Sequence, residues 1–522
     1  MSDLWTLPAG ELAARIARGE ISSSDAVAAH IARIEDVNPS LNAVVAPRYD
    51  AARAEASAAD ERRARGEPLG PLHGVPVSIK ECLDVAGMPS TFGVPSRAND
   101  SAVADDPFVA RWREAGAIVL AKTNVPQLMI FIECDNPLYG RTNNPWDLAR
   151  APGGSSGGEA ALVAAGGSPL GLGTDIGGSL RSPATSCGIV SLKPTTGRLN
   201  DSTRLEPFRG QRAILSQAGP LARTVADVAL ALEIANGGRN PAVLPPLPLG
   251  DPRERDVKTL RAGYFELAGW FGASPALTRA TREAAQALSE LGATVVPFEP
   301  PGVEEAMDVF YGILAADGGR GFAEVLGEDQ RDPRVAELLF VASKPRPVLA
   351  GIQRVLEFAG QRGSARLVRN FGFTDTAHYW RLTAALETYK ARFAQALDAA
   401  DGGPLDLILC PPCGLPALRH GASADVSTAG AFAPLFNVLG YPAGTVPWTR
   451  VRPDEETKRK ATSDRMSRGA VRTELGSAGL PAGVQIVGRP WRESDVLAAM
   501  FALEAVARAR PDFPVTPVTP QS

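Results

Sequence analysis

Three short stretches hold residues whose types and spacing could do chemistry. Gly153-Gly154-Ser155-Ser156-Gly157-Gly158-Glu159 runs straight into Ala160–Ala165, a good helix former. Glycines let a ligand or another segment approach the main chain closely. Such a loop at a helix N-terminus suits a phosphate, but a P-loop wants a lysine where Glu159 stands, and a carboxylate repels phosphate. A flexible Gly/Ser linker is the competing reading. In Gly171-Leu-Gly-Thr-Asp-Ile-Gly-Gly-Ser179-Leu-Arg181 the glycines are spaced GxGxxxG rather than the dinucleotide GxGxxG. This reads better as a serine on a tight turn, with the backbone N–H groups of Ile176, Gly177, Gly178 and Ser179 converging on one oxygen, as an oxyanion hole requires. Lys80 directly follows the apolar run Gly74–Ile79. A lysine at a strand end is ordinarily solvated. A buried one gives up its proton more readily and can then act as a general base.

The elements around these stretches alternate. Val75–Ile79, Ala117–Leu120 and Ile189–Leu192 are short β-rich runs, and Pro107–Ala115 is a helix closed by Gly116. Leu260–Tyr264, Val295–Val296 and Leu405–Leu409 read as further strands, Ser274–Leu291 and Ser494–Ala507 as helices. Leu435–Val446 and Gly483–Val487 bracket the polar segment Arg450–Gly469, which is expected to be a surface loop. The alternation predicts an α/β sheet rather than a bundle or sandwich. Residues 1–67 read as a helical segment, 68–236 as a catalytic core, 237–403 as a Pro/Gly-rich connection followed by mostly helical chain, and 404–522 as the return of the core. Together they make one body.

Composition narrows the function. The chain has 522 residues, 44% hydrophobic and 21% charged, with a net charge of −4. That excludes a wholly disordered chain and gives no basic face for nucleic acid. With only four histidines, His30, His73, His378 and His420, histidine-based catalysis and clustered metal ligands start from a poor position. No run of about 20 apolar residues spans a membrane. The start shows no basic stretch leading into an apolar run, so no secretory leader is read there. Five cysteines, an odd number, point to a reducing, cytoplasmic setting. Cys410-Pro-Pro-Cys413 reads as two packed thiols, with redox chemistry the minor alternative.

Taken together and in this order, the three stretches resemble the amidase signature family. The likeness extends to Lys122-Thr-Asn-Val-Pro-Gln127, Cys134-Asp-Asn-Pro-Leu138, Asn144-Pro-Trp146, Leu192-Lys-Pro-Thr195, Phe436-Asn-Val-Leu-Gly-Tyr-Pro-Ala-Gly444 and Gly479-Leu-Pro-Ala-Gly-Val-Gln-Ile-Val-Gly488, which look most like the fatty acid amide hydrolase branch. The resemblance implies a large central mixed β-sheet flanked by helices on both faces, with added helical decoration. It makes Ser179 the nucleophile, Lys80 the base and Ser155, after a cis peptide bond, the bridge between them. Ile176, Gly177, Gly178 and Ser179 would form the oxyanion hole. Met129 would lie at the substrate carbonyl, with Gly154 and Thr174 also at the substrate. Ile130, Phe131 and Ile132 would line an acyl or aryl pocket, with ordinary core burial the competing reading, and the mostly helical part of 237–403 would be a substrate-channel region. Ser156, Asp175 and Arg181 would support the loop. No metal or organic cofactor is implied. The implied partner is a small-molecule amide or carbamate, bound by a monomer or homodimer, and the same acyl-enzyme route would open urethanes and esters. The alternative within the family is the A subunit of a glutamine-dependent tRNA amidotransferase, against which the apolar Met129–Ile132 and the closer likeness to the fatty acid amide branch argue. A catalytically silent scaffold would have lost Lys80, Ser155 or Ser179, and all three are present.

Overall fold

Short apolar runs separated by helices assemble into one eleven-stranded sheet. The computed structural model describes residues 3–199, 208, 210–236, 247–426, 429 and 431–520. Residues 237–246 of the expected connection lie outside them. Numbered in chain order within the large sheet, the strands are β1 (Val44–Pro47), β2 (Pro76–Lys80), β3 (Ile118–Thr123), β4 (Leu170–Asp175), β5 (Val190–Lys193), β6 (Gln217–Ala222), β7 (Arg261–Tyr264), β8 (Thr294–Pro297), β9 (Leu407–Cys410), β10 (Ala443–Arg450) and β11 (Pro481–Gly488). Their order across the sheet is β1-β3-β2-β4-β6-β5-β10-β11-β9-β7-β8. β2 runs parallel to both β3 and β4, and β7 to β8 and β9, whereas the central pairs from β4 to β11 are antiparallel. The sheet is mixed, as expected.

Both faces are covered. Along β3, Ile118 and Leu120 pack with Val27, Ile31 and Ile34 of the helix Ser23–Leu41, while Val119 enters the larger core on the other side. A strand alternates its side chains between faces, so this split needs an apolar layer on each. The helix Ser23–Leu41 begins at a capping box, in which Ser22 and Asp25 satisfy each other's backbone N–H groups. The large core collects the helices Val225–Ala235, Pro275–Glu290 and Glu493–Arg508.

Two expectations need correction. The first 67 residues are not helical throughout: Val44–Pro47 is an edge strand antiparallel to β3. Four residues ending in proline leave too little pattern to read, and the pairing decides it. The segment Arg450–Gly469 is not all loop. It holds a 3-10 turn at Pro453–Glu455 and the first turn of the helix Arg465–Glu474. The run Leu435–Val446 is two elements, a helix Pro434–Leu439 and then β10, parted at Gly440, whose φ of 74° is the left-handed value that ends a helix.

Candidate active site

The strand β2 ends at Lys80, which is wholly buried. Its Nζ lies 2.7 Å from Ser155 Oγ and 2.8 Å from Thr174 Oγ1, both within hydrogen-bonding distance. Burial lowers the Lys80 pKa from its ordinary value, against the opposing pull of Cys82, Cys134, Asp175 and Glu159. Two other strand lysines are buried as well. Lys122 on β3 reaches Ser90 Oγ, and Lys193 on β5, lowered by burial to about 7, donates to the carbonyl of Pro194. Of the three, Lys80 is the one that meets a serine of the Gly-rich loop.

That loop is not a linker. Every residue from Gly153 to Glu159 is buried, the bond between Gly154 and Ser155 is cis, and the helix Gly157–Ala164 starts within it. The glycines answer to close approach. A Cβ on Gly154 would stand 2.8 Å from the carbonyl carbon of Ile132, and one on Gly158 would stand 2.5 Å from the backbone N and O of Asn124. Glu159, at the site that would deter phosphate, faces inward. It accepts hydrogen bonds from Ser78 on β2 and Thr123 on β3, and burial raises its carboxyl to about 7.

The second stretch is a strand followed by a turn. Leu170–Asp175 is β4, and Ile176–Leu180 turns into the helix Arg181–Cys187. Asp175 and Arg181 form a fully buried ion pair at 2.9 Å. Burial alone would raise the Asp175 carboxyl, but the Arg181 guanidinium, joined by Lys193 and the Asn437 hydrogen bond, holds the group below the usual carboxylate range. The same carboxylate accepts from the Gly178 and Leu180 N–H groups at 2.8 and 3.1 Å, which fixes the turn carrying Ser179. Arg181 donates further to Gln485 Oε1 at 2.7 Å, Asn437 Oδ1 at 2.6 Å and the Ala433 carbonyl at 2.9 Å. Asn437 and Gln485 sit inside the segments Phe436–Gly444 and Gly479–Gly488, yet nothing local marks them as partners of the turn. Their signal is polarity at positions where the flanking residues are buried and apolar.

Ser179 joins the two stretches. Its carbonyl accepts from the Ser156 N–H at 3.2 Å, and Ser156 Oγ donates to the Thr174 carbonyl at 3.2 Å. The Ser179 side chain opens on a cavity of about 240 Å³ and, among the described residues, its hydroxyl takes part in no hydrogen bond. Catalytic hydrogen bonds are commonly open before substrate arrives. Gly177 and Ile176 line the same cavity, as do Met129, Ile130, Phe131 and Ile132, which are therefore wall residues, not merely core. Leu128 and Met129 have φ of 54° and 57°, a left-handed conformation that costs a side-chain-bearing residue about 1 kcal/mol or more. Gly154 and Thr174, expected at the substrate, stand behind the wall: Thr174 turns to Lys80, and Gly154 packs on the backbone of residues 131–133. The opposite wall comes from the helical region, with Phe310, Tyr311, Leu339 and Phe371. The resemblance implies a substrate channel in this region, but its own residue pattern does not mark these four side chains.

Among the described residues no group of histidine, cysteine or carboxylate side chains could hold a metal ion. Cys410 and Cys413 are free thiols, and Cys410 accepts from Gln485 Nε2 at 3.1 Å. No helix of the described residues is long and apolar enough to cross a membrane.

A mixed sheet with these glycine-rich turns is the fold of the amidase signature enzymes. The amidase family profile matches residues 25–497, and the chain belongs to that family, whose members hydrolyse amide C–N bonds. It is 33% identical to fatty-acid amide hydrolase 1 of Sus scrofa over 96% of this chain and 86% of the relative. It is 32% identical to the A subunit of the glutamyl-tRNA(Gln) amidotransferase of Moorella thermoacetica over 98% of this chain and all of the relative. Among solved structures, a fatty acid amide hydrolase superposes with a TM-score of 0.80 at 24% identity, covering 97% of this chain and 85% of the other. A bacterial aryl acylamidase superposes with a TM-score of 0.72 at 25% identity, covering 97% and 99%.

Proposed function

We propose that the chain is a serine amidohydrolase for amides with an apolar or aryl acyl group, and that the same site opens aryl urethanes and esters. The observation that carries this reading is the buried Lys80–Ser155 contact of 2.7 Å beside a serine that faces an apolar cavity. Ser179 Oγ attacks the substrate carbonyl carbon. Its proton passes to Ser155 as Ser155 gives its own to neutral Lys80. The negative charge that develops on the carbonyl oxygen is held by backbone N–H groups of the 176–179 turn. Gly178 already donates to Asp175, so Ile176, Gly177 and Ser179 are the donors with free capacity. When the tetrahedral adduct collapses, the carbon–nitrogen bond breaks, Ser155 protonates the leaving nitrogen and Lys80 returns a proton to Ser155. Water then attacks the acyl-Ser179 ester by the same relay, releasing the acid. Asp175, Arg181 and Ser156 hold the turn and touch no reacting atom. The five free thiols support a reducing compartment, the cytoplasm.

A matched set of one anilide, one aryl urethane, one ester and glutamine tests this, with Ser179→Ala as the control. Cleavage of the anilide or urethane that is lost in the variant supports the reading. The full-length likeness to an amidotransferase component favours a second reading, glutamine hydrolysis in a multi-subunit enzyme. Glutamine as the sole substrate, or activity only with added partner subunits, would replace the first reading with the second. The apolar wall around Ser179 favours the first.

A further inference from the structure

The wall segment Leu128–Ile132 holds two consecutive left-handed residues, so something outside it must keep it in place. Both ends of the segment are tied. At one end, Gln127 Nε2 donates to the Gln330 carbonyl at 2.9 Å and Gln127 Oε1 accepts from the Asp332 N–H at 2.8 Å. At the other, the buried Glu133 accepts from the N–H groups of Gly421 and Ser423 at 2.7 and 2.5 Å.

One side chain meets both ties. Arg334, in the first turn of the helix Pro333–Ala342, forks onto Asp332 through Nε at 2.9 Å and a terminal nitrogen at 2.5 Å. Its other reach is to Glu133 Oε2 at 3.6 Å, Asp135 at 3.5 Å and Ser423 Oγ at 3.3 Å. Its guanidinium carbon stands 5.5 Å from the centre of the Phe131 ring. Its side chain is 13% exposed and that of Glu133 2%. The three chain segments that Arg334 joins each supply part of the cavity lining: Met129–Ile132 from the loop, Leu338 and Leu339 from its own helix, and Ser423 from the third.

We infer that Arg334 is a specificity-determining, positioning residue: by pinning three walls to one planar guanidinium it sets the size of acyl group the cavity admits, without touching substrate. The inference rests on the amidohydrolase reading above. A planar fork suits this task, because it fixes direction as well as charge, and a lysine does not replace it. Losing the guanidinium leaves Glu133 held by the Gly421 and Ser423 N–H groups alone and loosens that end of the strained turn, so the apolar chain of a long substrate loses its surface while the 176–179 turn at the reacting carbonyl stays held by Asp175.

The experiment compares p-nitroanilides of a short and a long acyl chain on the wild type, Arg334→Gln and Arg334→Lys, with melting curves to check folding. Arg334→Gln should raise KM for the long-chain anilide about tenfold or more and move kcat/KM for the short-chain one less than about threefold. Arg334→Lys should show the same chain-length dependence at reduced size, and carries the test if the glutamine variant does not fold. An equal loss on both substrates, or full rescue by lysine, would overturn the inference. If the wild type cleaves neither anilide, the amidohydrolase reading has failed instead. Binding of an alkyl-chain fluorescent probe then decides about Arg334 alone: unchanged affinity in both variants would overturn it, and weaker binding in both would sustain it.

Discussion

The two regions on either side of Ser179 are built on opposite principles. Behind the serine lies a polar lattice: Lys80, Ser155, Thr174, Asp175 and Arg181 are buried, and each has a named partner. The wall from residues 310–371 is almost wholly apolar, and its helices also leave large side chains in solvent, with Phe340 64% and Phe358 97% exposed. A buried hydrogen-bond lattice has few solutions, because each unpaired group costs heavily. An apolar wall of about the right volume has many, and can change composition without losing the fold. The reaction is therefore the fixed part of this molecule and the choice of substrate the adjustable part.

That contrast can be broken at several levels, taken here from the largest expected effect to the smallest. Ser179→Ala and Lys80→Met should each lower kcat/KM by at least about a thousandfold with the melting profile preserved, since residues of one catalytic unit fail together. A variant that keeps a tenth of the activity would show that the lattice is not the catalytic machinery. Arg181→Met leaves the Asp175 carboxylate buried and unpaired, and should cost about 3–5 kcal/mol in urea unfolding. A loss below about 1 kcal/mol would place the turn's support elsewhere. On the apolar wall, Leu339→Ala should cost about 2–3 kcal/mol, while kcat/KM for an acyl group one ring bulkier rises. A fall in that ratio would mean the wall is as exacting as the lattice.

The remaining two predictions turn on pH. Because burial lowers the Lys80 pKa, its neutral form spreads to lower pH than for a free lysine, and kcat/KM should rise with pH through the Lys80 titration. A flat profile with chemistry rate-limiting would remove Lys80 from the base role. Glu159 has its pKa raised to about 7 from an ordinary 4.5. Between those values the native state binds more protons than the unfolded one, so this group's contribution falls as pH rises across that window. Glu159→Gln lacks that slope, so its melting temperature minus that of the wild type should become more positive between pH 5 and pH 8, by a few degrees at most. A constant difference would mean that Glu159 does not titrate there.

The catalytic half was legible because close packing writes itself into residue type. Gly154 and Gly158 abut backbone, so nothing larger fits, and the pattern survives as a motif. The same constraint hid two strands. β4 and β6 carry Gly171, Gly173, Gly219 and Pro220, which lower strand propensity. They are glycines because a Cβ on Gly171 would stand 2.3 Å from Glu159 Oε1, and one on Gly219 2.2 Å from the Leu192 carbonyl oxygen. The helical wall was legible only as a region, from the resemblance, and its residues were hidden for another reason. An amphipathic pattern shows that a face is apolar, not what lies opposite it, and Phe310 and Phe371 come to share a cavity with Met129 only through the fold. Arg334 was equally hidden, since an arginine near the start of a helix is ordinary until Glu133 and Ser423 arrive from elsewhere.

The reach of Arg181 also sets a clock. Its partners Ala433, Asn437 and Gln485 are 252, 256 and 304 residues further along the chain. During synthesis at about 5–20 residues per second, Ser179 leaves the ribosome long before any of them. For many seconds the nascent chain carries the serine without the distant partners that hold Arg181 and complete the support of its turn. It is expected to stay unreactive toward serine-directed reagents until the strand Pro481–Gly488, the last of the large sheet in chain order, has been made and docked.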